Sequence, residues 1–421
     1  MTKIIPITSE RLLVAIDVAK RSHDVLVRWP DGRTRTFKVQ SKRDGFERLT
    51  TYLLEQGFSV RAALEPTGDY HRSLAYWLAS KGIEVHMASS LACARVREAI
   101  FNSWDKHDRK DARVILYLME HGLTAPFHDP LLSGNHDLQE ISNTYQQIVQ
   151  ARSRCYHSLV NHYIQLYFPE IERFLHASRS EWLVRFLIRF PVPSVITRVT
   201  KRRFVKSAWK IPGRKVAKER LLEEIYELAE ESIGLPVMPE SESVRSFRIQ
   251  LERYLSLTVL RHEMELRADQ VLTTNPDYQR LRTIPGIGPV VALMVLAESG
   301  DLRRFPHHKQ YLNYCGFNLS ARQSGQSKSR YRLSKRGNAR LRYAYWLAAN
   351  GAILQRENSF RWKYEHYIRK DPGDADLKRK ARTAVAVKMA RVAHALIKRE
   401  SDYRGYHEAG LPGSGTQFVG P

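Results

Sequence analysis

The sequence predicts an α/β domain followed by a long, mostly helical remainder. Two patterns carry that reading. Up to about residue 125, short apolar runs suited to buried strands alternate with amphipathic stretches suited to helices. From about residue 135 onward, apolar residues recur at steps of three and four, the period of an α-helix. A third observation concerns partners. The chain of 421 residues carries 68 Lys and Arg against 44 Asp and Glu, a net charge of +24.

Taken in order, residues 12–16 form an apolar run that ends at Asp17. Residues 23–29 and 35–39 suit a second and a third strand, with Asp31-Gly32-Arg33 as the turn between them. Phe46, Leu49, Leu53 and Leu54 mark one face of a helix over 44–56. Residues 60–64 are another buried-strand candidate, ending at Glu65. A helix over 70–80, a strand over 83–87 and further helices follow. Three early strands and then helix–strand–helix–strand is the element order of an RNase H-like sheet.

The helical section, 135–272, places Leu138, Ile141, Tyr145 and Ile148 on one stripe, and Val244, Phe247, Leu251 and Tyr254 on another. Long amphipathic helices of this kind make a bundle or a coiled-coil arm. Between them, residues 198–220 hold ten Lys or Arg and a single acid, read either as a solvated basic loop or as a nucleic-acid contact. A third section opens near Tyr278 with an apolar stretch that contains Pro-Gly-Ile-Gly at 285–288 and enters a helix after it. Residues 321–342 hold eight basic residues and no acid, a helix follows around 340–349, and Val385, Met389, Val392 and Leu396 stripe another. The division expected is 8–128 for the α/β domain, 135–275 for the helical linker, 278–400 for a mostly helical C-terminal domain and 401–421 for a disordered tail.

An excess of cations this large favours a polyanionic partner, because phosphates release counterions when Lys and Arg bind them. A ribosome-associated or simply basic protein is the alternative. The three cysteines, Cys93, Cys155 and Cys315, lie far apart with no CxxC pair, which argues against a zinc ribbon or a disulfide framework. Neither a signal peptide nor a membrane-length apolar run is visible, so a reducing, cytoplasmic setting is expected. His262-Glu263 lacks the second His of a zinc-protease helix, since position 266 is Leu. His307-His308 has no partner in ligand spacing.

The acids matter most. Phosphodiester chemistry needs metal ions that activate an attacking oxygen and stabilise a leaving one, and hard cations prefer several carboxylates at one point. Asp17 and Glu65 end predicted strands, and if those strands are neighbours the two meet at one edge. Asp108 and Asp111 are three apart, so on a helix they share a face. Asp105 belongs to the same evenly spaced series, and spacing alone does not select between them.

The motifs IDVAK at 16–20, LEPTGDY at 64–70 and KHDRKDARVIL at 106–116 resemble the three acidic motifs of the DEDD insertion-sequence transposases, the family that includes the Piv-type DNA invertases. The catalytic domain of that family is similar to the RuvC Holliday-junction resolvase, an RNase H-like fold. The resemblance implies that Asp17, Glu65, Asp108 and Asp111 bind magnesium, two ions in all, and leaves Asp105 out. Residues 281–298 and 303–342 resemble the family's second signature domain, in which a serine is implicated as a nucleophile. Its serine-glycine motif falls on Ser324-Gly325. The resemblance covers about half the chain.

A serine hydroxyl is a poor nucleophile without a nearby base or metal, and none is close in sequence to Ser324. On chemistry alone, Ser324 is as ready to bond a phosphate as Ser320, Ser327, Ser329 or Ser334. Lys328, Arg330, Arg332, Lys335, Arg336, Arg340 and Arg342 are expected nucleic-acid contacts. Tyr331, Tyr343 and Trp346 are candidates to stack on bases, with helix packing the expectation for the last two. Pro-Gly-Ile-Gly reads as a phosphate-binding hairpin turn or as a tight structural turn.

The expectation is therefore a DNA transposase or site-specific recombinase, acting by metal-assisted attack of Ser324 on phosphate, as a dimer or tetramer associated with the nucleoid. The resemblance further implies that a structured guide RNA chooses the DNA sites. The rivals are a RuvC-like nuclease that uses water and a non-catalytic nucleic-acid-binding protein.

Overall fold

In the computed structural model the described residues are 11–101, 108–175, 180–213, 216–320, 323–324, 327–328 and 332–405. Asp105, Tyr331 and most of the tail expected at 401–421 lie outside them. The chain divides into two compact units, Met1–His136 and Asp137–Pro421.

The first unit is built on a sheet of six strands: β1 (Arg11–Asp17), β2 (Ser22–Arg28), β3 (Thr34–Gln40), β4 (Ser59–Leu64), β5 (Glu84–Met87) and β6 (Ala125–Pro126). Their order is β3-β2-β1-β4-β5-β6. β1, β2 and β3 run antiparallel as consecutive hairpins, while β4 and β5 run parallel to β1. This is the RNase H-like arrangement that the element order predicts. The short β6 was not expected from the sequence.

Alternation along the strands decides what each face buries. Leu12, Val14 and Ile16 of β1, with Val60, Ala62 and Leu64 of β4, pack under α1 (Arg43–Leu54) and α2 (Tyr70–Ser80). Leu13, Ala15, Leu26 and Ala63 face the other way, onto α3 (Ser90–Phe101) and α4 (Asp108–Glu120). Because β1 and β4 are covered on both faces, their sequences read as unbroken apolar runs.

The second unit is almost wholly helical. It begins with α5 (His136–Ser158), which continues through a π-helical turn, Leu159–Ile164, into the short α6 (Gln165–Tyr167). α7 (Ser180–Arg189), α8 (Pro193–Thr197), α9 (Lys201–Ala208) and α10 (Lys218–Glu230) follow, then the 31-residue α11 (Glu242–Leu272). α5 and α11 lie antiparallel, with Tyr145 donating to Glu265 at 3.1 Å and the Arg152 guanidinium to Thr258 at 2.9 Å. The expected arm is this pair, but the residues between them are not a simple extension of it. Residues 155–254 close a core of their own around Phe186, Phe204, Ile225 and Phe247. The basic stretch 198–220, one reading of which was a loop, contains helix α9, because Phe204 and Ala208 four residues apart are wholly buried in that core.

A second core gathers α12 (Pro276–Arg282), α13 (Pro289–Ser299), α14 (His308–Tyr314), α15 (Ala339–Leu354), α16 (Ser359–Ile368) and α17 (Ala375–Arg399). α11 contributes to both cores, through Phe247 and Leu251 at one end and Ala268 and Leu272 at the other. Among the described residues between α14 and α15 lie four two-residue strands: β7 (Leu319–Ser320), β8 (Gln323–Ser324), β9 (Ser327–Lys328) and β10 (Arg332–Leu333). Among the described residues, no helix is long and apolar enough to cross a membrane.

Candidate active site

The register of β1 on β4 pairs Ile16 with Leu64, which leaves Asp17 and Glu65 side by side at the C-terminal ends of adjacent parallel strands. Both belong to the odd-numbered set whose lower members, Ala15 and Ala63, face α4, and both are partly exposed. α4 packs across this face through Ala112 and Ile115 and carries Asp111, which is only 2% exposed. Asp108 is the first residue of α4, one turn before Asp111, and its side chain lies outside the described residues.

Three residues that the sequence did not single out complete the surroundings. Arg97 on α3 forms an ion pair with Asp111 at 2.6 Å. Cys93, one turn earlier on α3, is buried beside Glu65; burial first, and then the charge of Glu65, pushes its thiol up to about 12. Asp24 on β2 lies directly across the ladder from Asp17, on the same face as Leu26, and is 7% exposed. Two carboxylates opposite each other repel. Lys38, opposite Asp24 on β3, answers part of that charge at 3.3 Å. An acid in phase with the apolar residues of its strand was the available signal for Asp24. Arg97 and Cys93 had none, since their roles depend on which segment α3 lies against.

The donors at the strand ends are oxygens, with a protonated thiol beside them, and paired negative charge there favours a cation. That chemistry fits magnesium. Among the described residues, no three His, Cys, Asp or Glu side chains form a group able to hold a metal ion, and Asp111 is engaged by Arg97. Among the described side chains, Asp17 and Glu65 are the partly exposed carboxylates at these strand ends, with the buried Asp111 on the helix above them.

Ser324 lies in the second unit, on a double ladder. β7 pairs with β10 at its base, and β8 with β9 beyond, where Ser324 is opposite Ser327. The base is held tightly. Gly337, at φ +134°, packs so closely that a Cβ would lie 2.6 Å from both the Gly316 nitrogen and the Tyr314 carbonyl oxygen. The Arg342 guanidinium donates to the carbonyls of Cys315 and Lys335 at 3.3 and 3.2 Å.

The expected phosphate contacts divide into two kinds. Arg340 is committed to Glu298 at 3.0 Å, to Ser142 at 2.8 Å and to Asn143, and so ties α15 to α13 and α5. Arg332, Lys335 and Arg336 are exposed, while the side chains of Lys328 and Arg330 lie outside the described residues. Tyr343 and Trp346 depart from expectation. They are 49% and 43% exposed and stack on each other with ring centroids 6.0 Å apart, because the buried side of α15 is taken by Leu341, Ala344, Tyr345 and Ala348.

In Pro-Gly-Ile-Gly the two glycines differ. Gly286, at φ +86°, is pressed against α15, where a Cβ would lie 2.2 Å from the Ala348 carbonyl oxygen. Gly288 has open space and is the N-cap of α13. His307 caps α14 by accepting from the Lys309 backbone N–H, which makes the His307-His308 pair structural.

The paired acids thus close an RNase H-like sheet in the first unit, and Ser324 lies on a short ladder in the second. The chain belongs to the IS110/IS116 transposase family: residues 14–169 match a family described as transposase, of the DEDD type, and residues 278–365 match the transposase IS116/IS110/IS902 family. The chain is 32% identical over 143 residues to the transposase for insertion sequence element IS1111A of Coxiella burnetii, covering 34% of this chain and 38% of that one. It is 28% identical to a probable family 20 transposase of Pseudomonas aeruginosa, over 42% of this chain and 51% of the other. The matches therefore span only about a third to a half of the length of these two relatives. A longer match, 27% identical over 74% of this chain and 77% of its relative, is to the mini-circle putative transposase for IS117 of Streptomyces coelicolor. Among solved structures, RuvC of T. thermophilus in complex with a Holliday junction substrate matches 28% of this chain and 99% of its own at 15% identity, with a TM-score of 0.21.

Proposed function

We propose that this protein cuts and rejoins DNA to move an insertion sequence. The observation that carries the reading is the pairing of Asp17 with Glu65 at the ends of β1 and β4, on the face that α4 covers with Asp111. Asp17, Glu65, Asp108 and Asp111 hold magnesium in this reading, and the bound metal supplies Lewis-acid activation of the phosphate. Asp24 and Lys38 adjust the charge beside Asp17.

Ser324 is the nucleophile. Its oxygen forms a bond to phosphorus as one sugar oxygen departs as a hydroxyl, so one phosphoester replaces another and the strand can be rejoined by reversal. Arg332, Lys335 and Arg336 bind the backbone of the DNA. Cutting two duplexes needs several active sites, which calls for a dimer or tetramer assembled through the α5–α11 arm. A structured RNA as guide is consistent with the excess of cations, as is a place at the nucleoid.

The test is a denaturing gel that looks for a covalent protein–DNA adduct with the element's ends and transcript in magnesium. The adduct is expected from the wild type and from neither Ser324→Ala nor Asp17→Ala. Cutting without an adduct, unchanged in Ser324→Ala, would establish the water-using nuclease instead.

A further inference from the structure

We propose that α9 and the start of α10 form a binding surface for single-stranded DNA, centred on Trp209. The inference rests on the DNA-processing reading for the source of the strand, but its observations belong to the core of residues 155–254, far in sequence from the acids and the serine.

Trp209 follows α9 and is 40% exposed, although large aromatic side chains around it are buried. It borders a cleft of about 600 Å³ with Lys201, Arg202, Lys206, Glu219 and Glu223. A smaller cleft of about 390 Å³, on the side of Arg220 and Lys218, shares Trp209 as a wall. Arg202, Lys206 and Arg220 are exposed and have no ion pair among the described residues, whereas Lys201 is paired with Glu227 at 2.6 Å. Unpaired cations beside an exposed indole are the two components of a single-strand site: phosphates meet the cations and a base stacks on the ring. Bases in a duplex already stack on each other, so the free indole favours an unpaired strand. Glu219 and Glu223 can accept a hydrogen bond from the N3–H of a thymine in the cleft.

The ring is held rather than loosely displayed. Lys218 is only 5% exposed; its Nζ donates to the carbonyls of Trp209 and Ile211 at 2.7 and 2.6 Å and lies 5.2 Å from the indole centroid. The neighbouring Ala217 adopts φ +54°, a left-handed conformation that lets α10 start at this point and deliver Lys218 inward. A fixed aromatic platform loses little side-chain freedom when it binds. Exchange of strands between two duplexes, the reaction proposed above, passes through an unpaired DNA strand, which makes DNA the partner.

The test is fluorescence anisotropy of labelled oligothymidine, oligouridine and a DNA duplex of equal length with the full-length protein. Oligothymidine should bind most tightly, and Trp209→Ala should weaken it roughly tenfold while Trp209→Phe retains most of the affinity. Arg202→Glu combined with Lys206→Glu should weaken it further and reduce the salt slope by about 0.7 for each phosphate no longer neutralised. Equal or tighter binding of oligouridine or duplex, or an unchanged affinity in a folded Trp209→Ala protein, overturns the proposal. A protein that cuts no DNA yet shows this dependence on Trp209 would keep the surface and lose the enzymatic reading.

Discussion

The acids and the serine sit on opposite kinds of scaffold. Asp17 and Glu65 extend strands buried on both faces, and their spacing follows from a six-residue parallel register. Ser324 belongs to a two-residue strand paired with another two-residue strand, beyond a base that is itself two residues deep. The acids are therefore positioned by the fold whether or not substrate is present. The serine is carried by a local ladder whose order depends on its glycine-tight base. Rigid elements hold a metal-binding geometry well, and loops held at their base suit a group that must reach its substrate.

The comparison can be tested by perturbing each side. The largest effect is expected at Arg97. Arg97→Met leaves Asp111 as a buried charge without its partner, which should cost about 3 kcal/mol in urea unfolding. Adding Asp111→Asn should recover part of the loss, and strictly additive effects would mean that the ion pair is not coupled. Next comes the base of the serine ladder. Gly337→Ala forces a Cβ against the Gly316 and Tyr314 backbone and should cost about 2 kcal/mol. A loss well under that would show the base to be looser than its packing indicates.

A smaller effect is expected from Cys93. Burial and the charge of Glu65 push its thiol up to about 12 from the ordinary 9.0, so folding favours the protonated form. That contribution is complete below about pH 9 and disappears as the pH rises toward about 12. Unfolding stability measured across this window should fall less steeply for Cys93→Ala than for the wild type; identical slopes would remove Cys93 from the acid site. The smallest effect is at the serine itself. Ser324→Ala should leave unfolding stability within about 0.5 kcal/mol while abolishing the DNA adduct. A clear stability loss would mean that the ladder is part of the core after all.

Much of the fold was legible. The apolar runs ending at Asp17 and Glu65 are strands, and the stripe through Val244, Phe247, Leu251 and Tyr254 lies in a buried core. What escaped depends on partners distant in the chain. The charges of residues 198–220 obscured Phe204 and Ala208, whose burial makes α9 a helix. Tyr343 and Trp346 look like core residues until Leu341, Ala344, Tyr345 and Ala348 are seen to occupy the packed side of α15. Asp24 passes for an ordinary polar residue in a strand until β1 is laid beside β2.

By itself, then, the sequence determined alternation, helical period and charge, and with them which residues can share a face: Asp17 with Ala15, Glu65 with Ala63. Those are properties of neighbouring residues and need no distant partner. Only the tertiary structure decided that β4 lies against β1, that α4 crosses their acid-bearing face and that Arg97 meets Asp111. The reason is physical: segments tens of residues apart become neighbours because both faces of the sheet must be buried at once, a condition that no local pattern encodes.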